Sequence, residues 1–232
     1  YYVCNPGFFK EAKVEENSQD DYTFDSILSY RSKRLEGYQG KKLSKKYEEL
    51  CKRARDLNEN LGSAIARGYY KLVAYKDEYE VARLHTEYLE GQIKNSFAGY
   101  RQLRFNLAPP LLSKKDKNGH LIKREFGPWM LTLMKILAKG KYLRGTWLDP
   151  FHFTKERLME RKLIRDYERD VEYILENYNE SNHDACFNLT LLPLQIRGFG
   201  HVKEQAIDKS DKIRSNPVSY THLRAHETPE HR

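Results

Sequence analysis

Apolar residues in this chain recur mostly at steps of three and four, the period of a helix that buries one face. From Asp25 to about Leu57 the rhythm is carried by Ile27, Leu28, Leu35, Tyr38, Leu43, Tyr47, Leu50, Cys51, Ala54 and Leu57. It predicts one long amphipathic helix or a broken pair, because Gly37 and Gly40 each cost about 1 kcal/mol relative to alanine in a helix interior. A second helix is expected from Gly62 to Tyr75, burying Ile65, Tyr69, Leu72 and Val73. Asp77 stands where a side-chain oxygen would cap a short third helix carrying Tyr79, Val81, Ala82 and Leu84. Thr86 is expected to open another, ending near Phe97.

One stretch changes period. Leu103, Phe105 and Leu107 alternate with Arg104 and Asn106 until Pro109-Pro110 stops the ladder, and Leu121 to Phe126 supplies a partner across a polar loop. Asn118-Gly119 in that loop tolerates positive φ, so an irregular β-hairpin is predicted. Pro128 suits a helix start, and Trp129, Met130, Leu133, Met134, Ile136 and Leu137 make the following helix apolar around much of its circumference, up to Gly140. It is therefore expected at the buried centre, with Trp129 as a core or interface anchor. Thr154 caps the longest helix, to about Tyr178, with the stripe Leu158, Met159, Leu163, Tyr167, Val171, Ile174 and Leu175. Its opposite face carries Lys155, Glu156, Arg157, Glu160, Arg161 and Lys162. Ser181 or Asn182 starts a further helix toward Leu192, which Pro193 breaks, and Gly198 closes a tight turn that tucks Phe199 inward. The fold class is mainly α, a multi-helix domain with one small irregular β-hairpin; α+β is the fallback.

Composition narrows the class. A length of 232 residues, 39% hydrophobic and 32% charged, suits one soluble domain able to close its own core. The longest apolar stretch, Trp129 to Ala138, is broken by Lys135 and too short to span a bilayer, so no membrane partner is expected. Three scattered cysteines, Cys4, Cys51 and Cys186, point to a reducing compartment, the cytoplasm, and to no disulfide framework. The formal net charge is +8, which attracts acidic proteins or polyanions without choosing between them. Lys41, Lys42, Lys45 and Lys46 read as a solvated helix face beside Glu48 and Glu49.

Five segments carry a more specific signal: Ala74 to Leu84, Leu103 to Leu112, Lys123 to Met130, Leu143-Arg-Gly-Thr with Asp149-Pro-Phe, and Ile196 to Glu204. In order and spacing they resemble the C-terminal region of the large fused indolepyruvate ferredoxin oxidoreductases, within the 2-oxoacid:ferredoxin oxidoreductase superfamily. The resemblance runs from about Phe24 to about Ala206. The chain departs from the family pattern at Asn106, often His there, at Trp147, where a smaller residue is usual, and at His152, where Gly is usual. No reactive role is carried over to those three positions. Residues 1–21 are unassigned, 22–210 form the helical domain, and 211–232 are expected as a disordered tail. Tyr1 is expected to be a cut end, since no Met precedes it. Pro217 to Thr228 resembles a translated sequencing-library adapter, and 217–232 are expected to be artefactual.

The resemblance implies an enzyme that oxidatively decarboxylates aryl-2-oxo acids to acyl-CoA with thiamine diphosphate and iron–sulfur clusters, reducing ferredoxin. It does not place that chemistry in these residues. A cluster needs four closely spaced cysteines, and the Gly-Asp-Gly thiamine-diphosphate signature with its paired Asn is missing. No catalytic residue, cofactor or metal is therefore assigned within this chain. His226 and His231 are five apart with Pro229 between them, the wrong spacing for two metal ligands on one helical turn. Gly198-Phe-Gly200 lacks the third small residue of a dinucleotide loop, since position 203 is Lys. Arg197, His201 and Lys203 are the candidate contacts for an anion such as a CoA phosphate or a carboxylate. Against this stands a structural alternative, in which Arg197 pairs with Asp77 or Glu78. Cys186, between Ala185 and Phe187, is expected to be an inert core thiol.

The leading expectation is a non-catalytic C-terminal structural or docking domain. Its partners are the remaining domains of the same enzyme, ferredoxin, and further copies in a homo-oligomer. A free-standing protein-interaction or regulatory module is the alternative. A nucleic-acid-binding domain ranks lower, because the hairpin offers mainly Phe105 and Phe126 for stacking.

Overall fold

The computed structural model describes residues 23–87, 104–107, 122–198 and 200–214. The fold is mainly α. Eight α-helices appear among these residues: α1 (Phe24–Gln39), α2 (Lys41–Leu57), α3 (Glu59–Val73), α4 (Glu78–Glu87), α5 (Trp129–Lys139), α6 (Lys155–Asn177), α7 (His183–Gln195) and α8 (His201–Arg214). Strands β1 (Phe105–Leu107) and β2 (Arg124–Phe126) pair antiparallel, Phe105 opposite Phe126. The Asn118-Gly119 turn lies outside the described residues. No described helix is long and apolar enough to cross a membrane.

The first expected helix is a pair. Thr23 opens α1 by accepting from the Ser26 N–H, and Gly40, at φ +100°, turns the chain into α2. That φ is costly for any residue with a Cβ, so the break falls at Gly40 and leaves Gly37 helical. Asn58 and Thr154 cap α3 and α6 in the same way as Thr23. Asp77 caps α4 as expected, its Oδ1 accepting from the Glu80 N–H at 2.8 Å. Thr86 lies inside α4 and returns its hydroxyl to the Ala82 carbonyl at 3.0 Å, while the rest of the helix expected as far as Phe97 lies outside the described residues.

Helix α3 is the centre, packed by α1, α2, α6 and α7. Leu61, Ile65, Ala66 and Tyr69 on it have no exposed area. A row of stacked tyrosines crosses this core: Tyr47 of α2 lies 5.9 Å from Tyr69 of α3, which lies 6.1 Å from Tyr167 of α6. Each hydroxyl is satisfied, by the Ala66 carbonyl, the Glu168 carboxylate and the Thr190 carbonyl respectively. Gly68 lets the helices close, since a Cβ there would meet the Thr190 carbonyl at 2.5 Å and the Tyr167 hydroxyl at 2.7 Å.

A second, smaller core holds Ala82, Phe105, Met130 and Met134, joining α4, the hairpin and α5. Helix α5 is therefore peripheral rather than central. Only Met130 and Met134 of it are buried, and Trp129 is more than half exposed. The main core is built from residues before Ala74 and after Thr154, so the second core is an excursion between α3 and α6. Its ends meet, because Glu78 forms an ion pair with Arg157 and the Arg157 guanidinium sits 5.2 Å over the Tyr75 ring.

Three further expectations are corrected. Arg157 is buried rather than on the solvent face of α6, while Leu158 is half exposed. Helix α7 runs through Pro193 to Gln195; the proline is buried near the helix end, where few ladder bonds depend on its missing N–H. Residues 211–214 complete α8 instead of joining a disordered tail, and Arg214 pairs with Asp170 at 2.7 Å.

Two predictions follow from the packing. Gly68→Ala should cost about 2–3 kcal/mol through overpacking, read as a lowered urea midpoint; a change near zero would contradict the close approach. Burial raises the Tyr47, Tyr69 and Tyr167 hydroxyls above their ordinary range and pushes the Cys51 thiol up to about 12. With folded values above unfolded ones, this stability is complete below the unfolded values of about 8.5 for Cys and 10 for Tyr. It is lost as pH rises toward the folded values. The urea midpoint should therefore hold steady across neutral pH and fall above about pH 9.

Candidate functional site

Between the two cores lies a group of buried polar side chains. Arg144, from the turn after α5, donates from Nε to Asp77 Oδ2 at 2.5 Å and from Nη2 to Asp77 Oδ1 at 2.9 Å. Its third bond, from Nη1, reaches the Tyr38 carbonyl at the end of α1, at 3.0 Å. The guanidinium also lies 3.7 Å from the Tyr38 ring centroid. The two side chains are 3% and 1% exposed, so neither charge is answered by solvent. Burial, the largest single influence, would lower the Arg144 pKa, but the Asp77 hydrogen bond together with the charges of Tyr38, Asp77 and Tyr75 holds the value above the ordinary one.

Asp149 completes the arrangement. Its Oδ1 accepts from the Tyr79 hydroxyl at 2.8 Å and the Phe151 N–H at 3.0 Å, and its Oδ2 from the Gly145 N–H at 3.0 Å. Tyr79 packs edge-on against Phe151, and Gly140 admits the Tyr79 ring, since a Cβ there would meet it at 2.9 Å. The Tyr38 hydroxyl donates to the Tyr75 carbonyl at 2.8 Å, and burial raises the pKa of both phenols, Tyr75 to about 12. Each carboxylate oxygen of Asp77 and Asp149 accepts at least one hydrogen bond from the protein itself. The arrangement binds helix to helix.

Two of the predicted anion contacts, Arg197 and Lys203, are put to another use. The Leu194 carbonyl, at the carboxyl end of α7, accepts from Lys71 Nζ at 3.1 Å and from Arg197 Nε at 3.4 Å. Cations there satisfy orphan carbonyls and the negative end of the helix dipole. Lys203 forms an ion pair with Glu160 of α6, and His201 is exposed at the start of α8. The Lys71 pKa is lowered, first by burial and then by its neighbours Arg197 and Lys203. Arg197 does not pair with Asp77 or Glu78, which are occupied by Arg144 and Arg157. Gly198 and Gly200 both take positive φ, the tight turn that was expected, whereas Phe199 lies outside the described residues.

Other candidate chemistry is sparse. Among the described residues no cluster of three or more His, Cys, Asp or Glu could hold a metal ion. His226 and His231 lie outside them. Cys51 and Cys186 are buried free thiols, the latter raised by burial to about 11. A cleft beside Leu72, Tyr167 and Leu192 encloses about 30 Å³, the space of roughly one water. A groove of about 330 Å³ by Asn58, Tyr178 and His183 is open and polar, unlike the apolar pockets that enclose ligands. Of the positions departing from the family pattern, Asn106 lies exposed on β1, Trp147 is 81% exposed and His152 is half-buried beside Phe153.

Sequence reasoning missed the Arg144–Asp77 pair although both residues stand in the resembling segments. No local signal marks the pair, since Asp77 stands in the charged run Lys76-Asp-Glu and Arg144 lies 67 positions away in Leu143-Arg-Gly-Thr. Arg144→Ala should cost about 3–5 kcal/mol, because it strands a buried carboxylate. The Arg144→Ala/Asp77→Ala double variant should lose less than the sum of the singles. Additive losses in urea unfolding would show that the two side chains are not coupled.

A family model described as a family of unknown function (DUF6537) matches residues 24–216. No curated protein matches the chain. No solved structure matches it either.

Proposed function

This chain belongs to the DUF6537 family, and we propose that it is the non-catalytic C-terminal structural and docking domain of a ferredoxin-dependent 2-oxoacid oxidoreductase of the indolepyruvate type. The observation that carries the reading is where the resembling segments lie. Ala74–Leu84 supplies Asp77, Glu78 and Tyr79, and the Leu143–Phe151 stretch supplies Arg144 and Asp149. The two hairpin segments supply Phe105 and Met130 to the second core, and Ile196–Glu204 supplies Lys203 to the pairing of α8 with α6 and Arg197 to the end of α7. The residues that carry the likeness hold helices together, which suits a domain that supports chemistry performed elsewhere.

In this reading the intact enzyme works in the cytoplasm as a homo-oligomer. It oxidatively decarboxylates aryl-2-oxo acids, passing the acyl group to CoA and the electrons through thiamine diphosphate and iron–sulfur clusters to ferredoxin. This domain covers and orients the catalytic ones. The reading frame upstream of the Tyr1 codon should encode closely spaced Cys runs and a Gly-Asp-Gly motif followed by paired Asn. A start codon near Tyr1 with no such sequence upstream would overturn the reading in favour of a free-standing interaction module.

Ferredoxin docking on α2 is part of the proposal. Lys41, Lys42, Lys45 and Lys46 are all exposed there, with Lys41 4.0 Å from Glu36 and Lys46 2.6 Å from Glu168. Reversing Lys41, Lys42 and Lys45 to Glu should slow ferredoxin reduction by the intact enzyme, most strongly at low salt. An unchanged rate would remove ferredoxin from this face.

A further inference from the structure

Four tyrosines follow one another through the main core. Half-buried Tyr70 of α3 meets Tyr47 edge-on at 6.3 Å, Tyr47 stacks on Tyr69 at 5.9 Å, and Tyr69 on Tyr167 at 6.1 Å. Tyr47, Tyr69 and Tyr167 are buried, so the row leads from the edge of the bundle into its dry interior. A phenol yields one electron at a far lower potential than any aliphatic side chain, and these rings are within contact distance of one another. The row is therefore a continuous path for a single electron.

Where such a path ends is decided by the proton. Burial raises the three inner phenols above their ordinary range, so each holds its proton at neutral pH. Once a phenol has lost an electron it becomes a strong acid, and the radical persists only where a base takes the proton. The Tyr47 and Tyr167 hydroxyls donate to the Ala66 and Thr190 carbonyls, both at 3.0 Å, and an amide oxygen is too weak a base to serve. Among the three inner phenols, Tyr69 alone donates to an ionisable base, Glu168 Oε1, at 2.5 Å, within reach of direct proton transfer. The Glu168 side chain is 22% exposed and its Oε1 also accepts from Lys46 Nζ at 2.6 Å.

Charge gives the path a direction. The Arg31 guanidinium lies 5.1 Å over the Tyr70 ring and opposes positive charge there. The Glu168 carboxylate favours positive charge beside Tyr69, and Lys46 partly offsets that preference.

We propose that the row is a one-electron relay that carries oxidising equivalents inward from Tyr70 and holds them on Tyr69 as a neutral tyrosyl radical hydrogen-bonded to protonated Glu168. A one-electron oxidant of the high-valent metal or peroxyl-radical class takes an electron from Tyr70, and Tyr47 and then Tyr69 replace it in turn. As the Tyr69 electron leaves, its O–H bond breaks and the proton goes to Glu168 Oε1. The products are the Tyr69 oxygen radical, a neutral Glu168 carboxyl and an oxidant reduced by one electron. A one-electron reductant of the ascorbate class restores the start, with Glu168 returning the proton. The relay uses only this chain and stands apart from the oxidoreductase reading.

Flash photolysis of the purified chain tests it. A ruthenium polypyridyl photo-oxidant is attached at Arg67→Cys, an exposed site one helical turn before Tyr70, with Cys4→Ser keeping the label single. Cys51 and Cys186 are buried and stay unlabelled. Electron paramagnetic resonance and visible absorbance report the tyrosyl radical, and urea unfolding confirms the fold of each variant before the flash. Tyr69→Phe, which keeps the ring, should abolish the long-lived radical, and Tyr47→Phe should slow its formation. Glu168→Gln, similar in shape but unable to take a proton, should slow formation about a hundredfold and remove its slowing in heavy water. Lys46→Met should speed it. A long-lived radical unchanged in Tyr69→Phe would overturn the relay, as would a rate and isotope effect unchanged in Glu168→Gln. Oxidation that stops at Tyr70 would overturn it as well.

Discussion

One buried ion pair sets how the two hydrophobic cores of this domain sit together. Arg144 and Asp77 are almost wholly removed from water, and each is bound to more than the other. Arg144 also holds the end of α1 through the Tyr38 carbonyl, and Asp77 also caps α4. Apolar contact alone tolerates sliding, because it scales with area and has no direction. A bidentate guanidinium–carboxylate pair has a direction, and a displaced charge in a dry site has no alternative partner. The joint is thus specified by geometry, whereas the cores on either side are specified by volume.

The tyrosine row plays a related part inside the main core. Tyr47, Tyr69 and Tyr167 supply stacking area, and each hydroxyl fixes the rotation of a helix by bonding to a neighbour's backbone or carboxylate. Gly68 permits the spacing that this row requires.

Much of the fold was legible along the chain, because local signals set it. The caps Thr23, Asn58 and Thr154 illustrate the rule, although only Thr154 was read beforehand; the break at Gly40 was half read, as a weak point. What failed was inference from apolarity to burial: α5 is apolar on two sides, and one of them faces water. Arg157 was read as surface for the converse reason, since a long charged side chain can lie along aromatic rings while its head finds a carboxylate. The Arg144–Asp77 pair spans 67 positions and follows from no local period. The α7 terminus that claims Arg197 and Lys71 becomes visible only with the helices in place.

The excursion that carries the second core leaves the bundle beside Tyr75 and rejoins it at Arg157, and those residues touch. Away from Arg144, which ties the detour to the end of α1, chain length within it can change without moving either point of attachment. Loop-closure entropy changes only slowly with length. Descendants of this sequence are therefore free to reshape what the detour presents to its surroundings, and a new binding partner could be acquired while the helices beneath keep their register.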